Sequence, residues 1–109
     1  MRRRIGSLLC VLLAVTLSVF GDDADRESTL KTLRELHRQQ KWQAIVDQFG
    51  ATDFSQWPTA EAADASFLRG QCYWFLRKGP EAEADFKAAV KFAPKNSANW
   101  ISLADNYLL

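Results

Sequence analysis

His37 is the only histidine, and Cys10 and Cys72 are the only cysteines, in the 109 residues. Any nucleophile, general base or metal site would therefore rest on very few side chains. Neither His37 nor Cys72 has a partner at the spacing of a zinc motif or of a nucleophile with its base. Glu81, Glu83 and Asp85 form a dense acidic group that could hold a cation or exchange protons. Their i, i+2, i+4 spacing, however, spreads them round the start of a helix, where carboxylates complement the positive end of the dipole. That is the role expected of all three. The sequence carries no glycine-rich phosphate loop and no nucleophile elbow. Recognition rather than catalysis is the chemistry expected, and no catalytic residue, cofactor or metal ligand is assigned. Cys72 is expected to be buried as a packing residue, and His37 to lie exposed on the polar flank of its helix.

Charge narrows the partner class. Arg2, Arg3 and Arg4 precede an uncharged apolar run from Ile5 to Phe20, which is the pattern of a secretory signal. The run falls short of the roughly 20 residues that span a bilayer, so residues 1–21 are expected to be a signal peptide cleaved after Gly21. Retention as a membrane anchor is the open alternative. Cys10 lies early in the run behind Leu9, which does not suit lipidation. Its removal with the signal leaves Cys72 alone, without an intramolecular disulfide partner even in an oxidising compartment. The whole chain has 14 Lys and Arg against 13 Asp and Glu. Losing the three signal arginines leaves 14 − 3 = 11 against 13, a net of −2, and no nucleic-acid partner is expected. The mature protein is expected to be exported, to a periplasm or to the medium.

Glycine and proline are scarce, no stretch alternates like a strand, and the chain divides into helical segments. Residues 22–27 form an acidic mature N-terminus, after which Ser28 or Thr29 is expected to cap a helix carrying Leu30, Leu33 and Leu36. Trp42, Ile45, Val46 and Phe49 follow. At about 100° per residue the two apolar sets would sit roughly 170° apart on one straight helix. A break near Gln39, Gln40 and Lys41 puts both into one core, which makes residues 28–50 a helical hairpin. A loop over 51–59 carries the partly buried aromatics Phe54 and Trp57, and Thr59 is expected to cap a helix from about Ala60 to Lys78. Gly79 would close that helix in the left-handed conformation. Pro80 then opens the next helix, and Pro94 ends it. Asn96 or Ser97 caps a last helix through Trp100, Leu103 and Tyr107.

The helices recur. Phe67, Gly70 and Tyr73 each lie 34 residues before Ile101, Ala104 and Tyr107, the period of the tetratricopeptide repeat (TPR). Trp100, Ile101, Leu103, Ala104 and Tyr107 fit the first-helix signature, with Ala104 in place of the usual glycine. Ala82, Phe86, Ala89 and Pro94 fit that of the second helix. On these residues the chain from Ala65 to Tyr107 resembles the TPR family; Ser66 and Arg69 depart from its large apolar positions. Small residues (Gly70, Ala82, Ala89, Ala104) fall where helices approach, and Tyr73, Phe86, Trp100 and Tyr107 fill the wider spaces. Together with Pro94 and Leu103 these form the expected repeat core. Leu30, Leu33, Leu36, Ile45 and Phe49 map onto Phe67, Gly70, Tyr73, Ala82 and Phe86 at an offset of 37, so 28–50 reads as a degenerate repeat. Residues 60–96 form a full repeat, and 97–109 the first helix of a further, truncated one.

The fold class is therefore all-α. The resemblance implies antiparallel helix hairpins stacked as a short right-handed solenoid, with a concave face that binds a protein or peptide. On that face Phe67, Gln71, Trp74, Ile101 and Asp105 would form the partner groove; burial of Phe67 and Trp74 between neighbouring repeats is the competing reading. The Lys, Asn and Arg clamp of cochaperone TPRs is missing, since Phe67, Gln71, Ile101 and Asp105 stand at those places. The last helix carries apolar residues on more than one face. A longer protein with a catalytic domain beyond residue 109, a partner, or a second copy paired through this helix would each cover it.

Overall fold

A computed structural model describes residues 23–108. The signal-peptide expectation for residues 1–21 lies outside them. Among the described residues every regular element is helical, and no helix is long and apolar enough to cross a membrane. Helix α1 covers residues 23–38, α2 Trp42–Phe49, α3 Thr59–Phe75, α4 Gly79–Phe92 and α5 Ser97–Asn106. A single 3-10 turn, Phe54–Gln56, lies between α2 and α3.

The expected starts of two helices need correction. Helix is already present at residue 23, so Ser28 and Thr29 are interior residues and the acidic stretch is helical. Acidic residues suit an opening turn, and Arg26 gives this turn an anchor by bridging Asp23 at 2.8 Å and Glu61 of α3 at 2.5 Å. Thr59 is the first residue of α3 rather than its cap, because Pro58 holds the extended conformation in front of it.

The break after α1 falls at Gln39–Gln40 and is made by backbone geometry, without glycine or proline. Gln40 adopts φ 60°. The amide of Lys41 donates to Leu36 O at 2.9 Å, and that of Gln40 to His37 O at 2.9 Å, the two bonds of a Schellman closure. The turn between α3 and α4 repeats this design. Arg77 adopts φ 60°, Lys78 N–H donates to Tyr73 O at 2.8 Å, and Arg77 N–H donates to Trp74 O at 3.0 Å. Gly79, expected to close α3, is instead the first residue of α4; Pro80 must occupy the first helical turn, which leaves the left-handed position to Arg77. The two left-handed residues are 77 − 40 = 37 apart, the offset that also relates the apolar positions. A side chain in this conformation costs on the order of 1 kcal/mol, and glycine does not carry that cost. Gln40→Gly and Arg77→Gly should each raise unfolding free energy by about 0.5–1 kcal/mol in urea melts.

Burial follows the two stripes. Leu30, Leu33, Ile45, Phe49, Phe54, Ala65 and Cys72 form one core, with Leu36, Trp42, Val46, Trp57 and Leu68 packed round it. Leucines of α1 and aromatics of α2 thus meet over α3. Among helices α2 to α5 the most extensive contact is α3 on α4, followed by α4 on α5 and α2 on α3. Gly70 allows α3 and α4 to approach: a Cβ there would lie 2.8 Å from the Phe86 ring. The Phe67 and Phe86 rings lie 6.2 Å apart, and Ala82 and Ala89 are fully buried beside them.

The expected core is uncovered at its C-terminal end. Trp100 is 50 % and Tyr107 59 % exposed, and Pro94 and Ala104 are exposed with them, while Leu103 is half-buried. The inward face of α5 is set by Asn99 and Asn106, both buried. Asn99 Nδ2 donates to Ala89 O at 3.2 Å and Ala93 O at 3.4 Å, and Asn106 Nδ2 donates to Gly79 O at 3.0 Å. Two amides thus hold α5 across both ends of α4, and one of them adds a second donor to carbonyls at the C-terminus of α4 that already accept from Ala93 N–H and Asn96 N–H. The apolar stripe of α5 consequently turns outward, where only edge contacts reach it. Trp100 Nε1 donates to Pro94 O at 2.7 Å, and Tyr107 Oη to Glu83 Oε1 at 3.3 Å.

Candidate functional site

The residues assigned to a groove divide. Gln71 and Trp74 of α3 and Asp105 of α5 line one cavity with Phe75, Phe86 and Ser102, about 100 Å³ in volume. Phe67 lies elsewhere: with Ala63, Ala93 and Asn99 it borders a separate cavity of about 230 Å³. Ile101 is 59 % exposed and belongs to neither lining.

An aromatic ledge stands beside the first cavity. Trp42 of α2 stacks on Phe75 with ring centroids 4.4 Å apart and planes 8° from parallel. Trp74 meets Phe75 edge-on at 5.1 Å, and His37 meets Trp42 edge-on at 5.1 Å. His37 is therefore half-buried, which corrects the expected exposed position. Its Nε2 lies 2.7 Å from Gln71 Oε1, so the imidazole N–H donates and the Gln71 amide N–H2 is left for other acceptors. The indole N–H of Trp74 is buried and has no acceptor among the described residues. Asp105 forms no ion pair among them; the bridges present use other acidic residues.

The acidic group expected at the start of α4 separates in the same way. Glu81 lies in the first turn, in keeping with a dipole role, and Glu83 pairs with Lys87 at 2.7 Å. Asp85 does something else: it is buried and takes two hydrogen bonds from Arg69, Nε to Oδ2 and Nη2 to Oδ1, each 2.8 Å. Arg69 Nη1 also donates to Phe49 O at 2.9 Å and Thr52 O at 2.7 Å, and the guanidinium lies 4.3 Å over the Phe54 ring. One arginine thereby ties the C-terminus of α2, the following loop and α4 to α3. The guanidinium is the kind of group suited to this bidentate, stacked arrangement. Burial pushes the Asp85 carboxyl up from its ordinary range, and the Arg69 hydrogen bonds oppose that shift. The sequence held a signal for this pair: Arg69 is a charged residue at a position where the resemblance to TPR repeats implies a large apolar one. Asn99 and Asn106 gave no such signal.

Cys72 is fully buried, and its thiol donates to Leu68 O at 3.2 Å. Burial pushes its pKa up to about 12, and reactivity belongs to the thiolate. Iodoacetamide at pH 8 should therefore label the folded protein far more slowly than the chain in denaturant, as read by mass spectrometry. Among the described residues no group of three or more His, Cys, Asp or Glu is gathered to hold a metal ion.

The class that fold and site define together is a small all-helical protein with an aromatic-walled cavity between its third and fifth helices. No family model, curated protein or solved structure matches the chain.

Proposed function

We propose that this chain is an exported helical-repeat interaction module of the TPR type, without catalysis of its own, which binds a protein or peptide through the face formed by α3 and α5. The observation that carries this reading is the convergence of Gln71, Trp74 and Asp105 on one cavity from two helices that are distant in sequence. The repeat arrangement is supported by the two turns of the same design at an offset of 37 and by matched burial at that offset. Leu33 and Gly70, Ile45 and Ala82, and Phe49 and Phe86 are all buried. Stacking such hairpins places first helices side by side, and the His37 to Gln71 contact joins α1 to α3 in that manner. In this scheme α5 is the first helix of a further repeat, and its outward Trp100, Ile101, Tyr107 and Leu108 form the face that a following helix or a partner would cover. Export rests on the arginine-led apolar segment at the N-terminus.

Capture from the extract of the source organism by the immobilised protein tests the reading. Trp74→Ala with Gln71→Ala should reduce capture at least several-fold while leaving the helical circular dichroism at low temperature nearly unchanged; the melting midpoint falls, because the Trp74 ring packs on Phe75 and Gln71 joins α3 to His37. Undiminished capture by that double variant would count against the groove.

A further inference from the structure

The cavity between α3 and α5 also indicates the chemistry of what enters it. Its walls are largely aromatic, from Trp74, Phe75 and Phe86, and its only formal charge is the carboxylate of Asp105. Aromatic faces attract cations, and a carboxylate with no ion pair among the described residues does the same. Phe75 is 49 % exposed and is held flat against Trp42, so its free face is already oriented before a partner arrives. A volume of about 100 Å³ accepts one side chain, not a cofactor or a drug-sized molecule, for which pockets run from about 300 Å³ upward. One side-chain amide donor remains on the lining, the Gln71 N–H2 whose carbonyl faces His37. A main-chain carbonyl of a bound peptide is an acceptor that this amide can use.

We infer that the cavity is a subsite for a lysine or arginine side chain of an extended peptide. The cation sits against Phe75 and Asp105, and a main-chain carbonyl beside it accepts from Gln71. This rests on the groove reading above and specifies its partner as basic. Neutral and acidic segments lack the charge that Asp105 selects, and an apolar side chain of equal length would strip water from the carboxylate without replacing it.

The test uses three acetylated and amidated pentapeptides of Gly and Ala with a central Lys, norleucine or Glu, titrated into the isotopically labelled protein. The Trp74 indole N–H resonance, assigned by its loss in Trp74→Phe, is the probe. The Lys peptide should shift it, with the norleucine and Glu peptides binding at least about fivefold more weakly. Asp105→Asn, a change at an exposed position, should remove most of the Lys advantage without altering the unliganded spectrum elsewhere. Equal binding of Lys and norleucine, or a Lys preference that survives Asp105→Asn, would overturn the basic subsite and leave the groove standing. If none of the three peptides perturbs Trp74 or Gln71 at millimolar concentration, the groove reading falls with it.

Discussion

Replacing Arg69 with alanine should destabilise the protein by about 3–5 kcal/mol, because it leaves the Asp85 carboxylate buried without its partner. The same change removes the donors to Phe49 O and Thr52 O and the cation over Phe54, so the loop after α2 loses its tie to α3. Urea unfolding at pH 7 measures the total, and hydrogen exchange should show the segment around residues 50–57 opening first. The loss should also depend on pH. In the native protein burial already raises the Asp85 carboxyl, and Arg69 holds it back; without Arg69 the folded-state pKa rises further above the unfolded value. A raised carboxyl binds its proton more tightly in the folded state, so its penalty is fully present above the folded pKa and fades as pH falls toward the unfolded value near 4. The variant should therefore recover part of its lost stability between about pH 7 and pH 4. A deficit that stays constant over that range would mean Asp85 is not the group left unpaired. Arg69→Met with Asp85→Leu, which removes both charges, should be far less damaging than either single change.

Phe86→Ala should cost about 3–5 kcal/mol. Phe86 is 1 % exposed, its ring meets Phe67 at a centroid distance of 6.2 Å, and it fills the space opposite Gly70 that no Cβ could share. No neighbouring helix can collapse into that gap without moving α3 on α4. Thermal denaturation followed by circular dichroism gives the value, and a loss below about 1 kcal/mol would show that the α3 to α4 contact is not the packing that holds the chain together.

What the sequence made legible was the information carried by periodicity. The opposed stripes of Leu30, Leu33, Leu36 and of Trp42, Ile45, Phe49 demanded a break between them, and the structure turns at Gln39–Gln40. Small-against-large pairing at Gly70 and Phe86 was readable for the same reason, since residue volume is a local property. Features that depend on long-range partners were not readable. Asp85 looked like another carboxylate near a helix start until Arg69, 16 residues earlier, was placed against it. Gly79 looked like a helix stop because glycine takes φ > 0 most cheaply, yet the strain went to Arg77, where the neighbouring Pro80 left no other register. His37 looked polar and exposed, and contact with Gln71 and Trp42 partly covers it.

The outward apolar face of α5 bears most on the site. The TPR-like pattern at Trp100, Leu103, Ala104 and Tyr107 specifies contacts to a second helix, and α5 meets α4 through Asn99 and Asn106 instead. Amide side chains score as loop formers in any hydropathy scan, so their role at a helix interface is invisible until carbonyls of α4 are seen opposite them. Of the groove residues, Gln71, Trp74 and Asp105 shared one cavity because they lie toward the adjoining ends of α3 and α5. Phe67 is one to two turns closer to the start of α3, and it borders the other cavity.

The proposed groove depends most on first helices lying side by side, so that α1 reaches α3 and α3 reaches α5 on one face. Nuclear Overhauser contacts in the labelled protein measure this directly. Cross-peaks are expected from the His37 ring to the Gln71 side-chain amide and from the Trp74 ring to Ser102 and Asp105 protons, together with Phe86 ring contacts to Gly70. A spectrum showing the Gly70 to Phe86 contact but neither of the other two would leave a hairpin without a stacked face, and would contradict the groove and everything proposed to enter it.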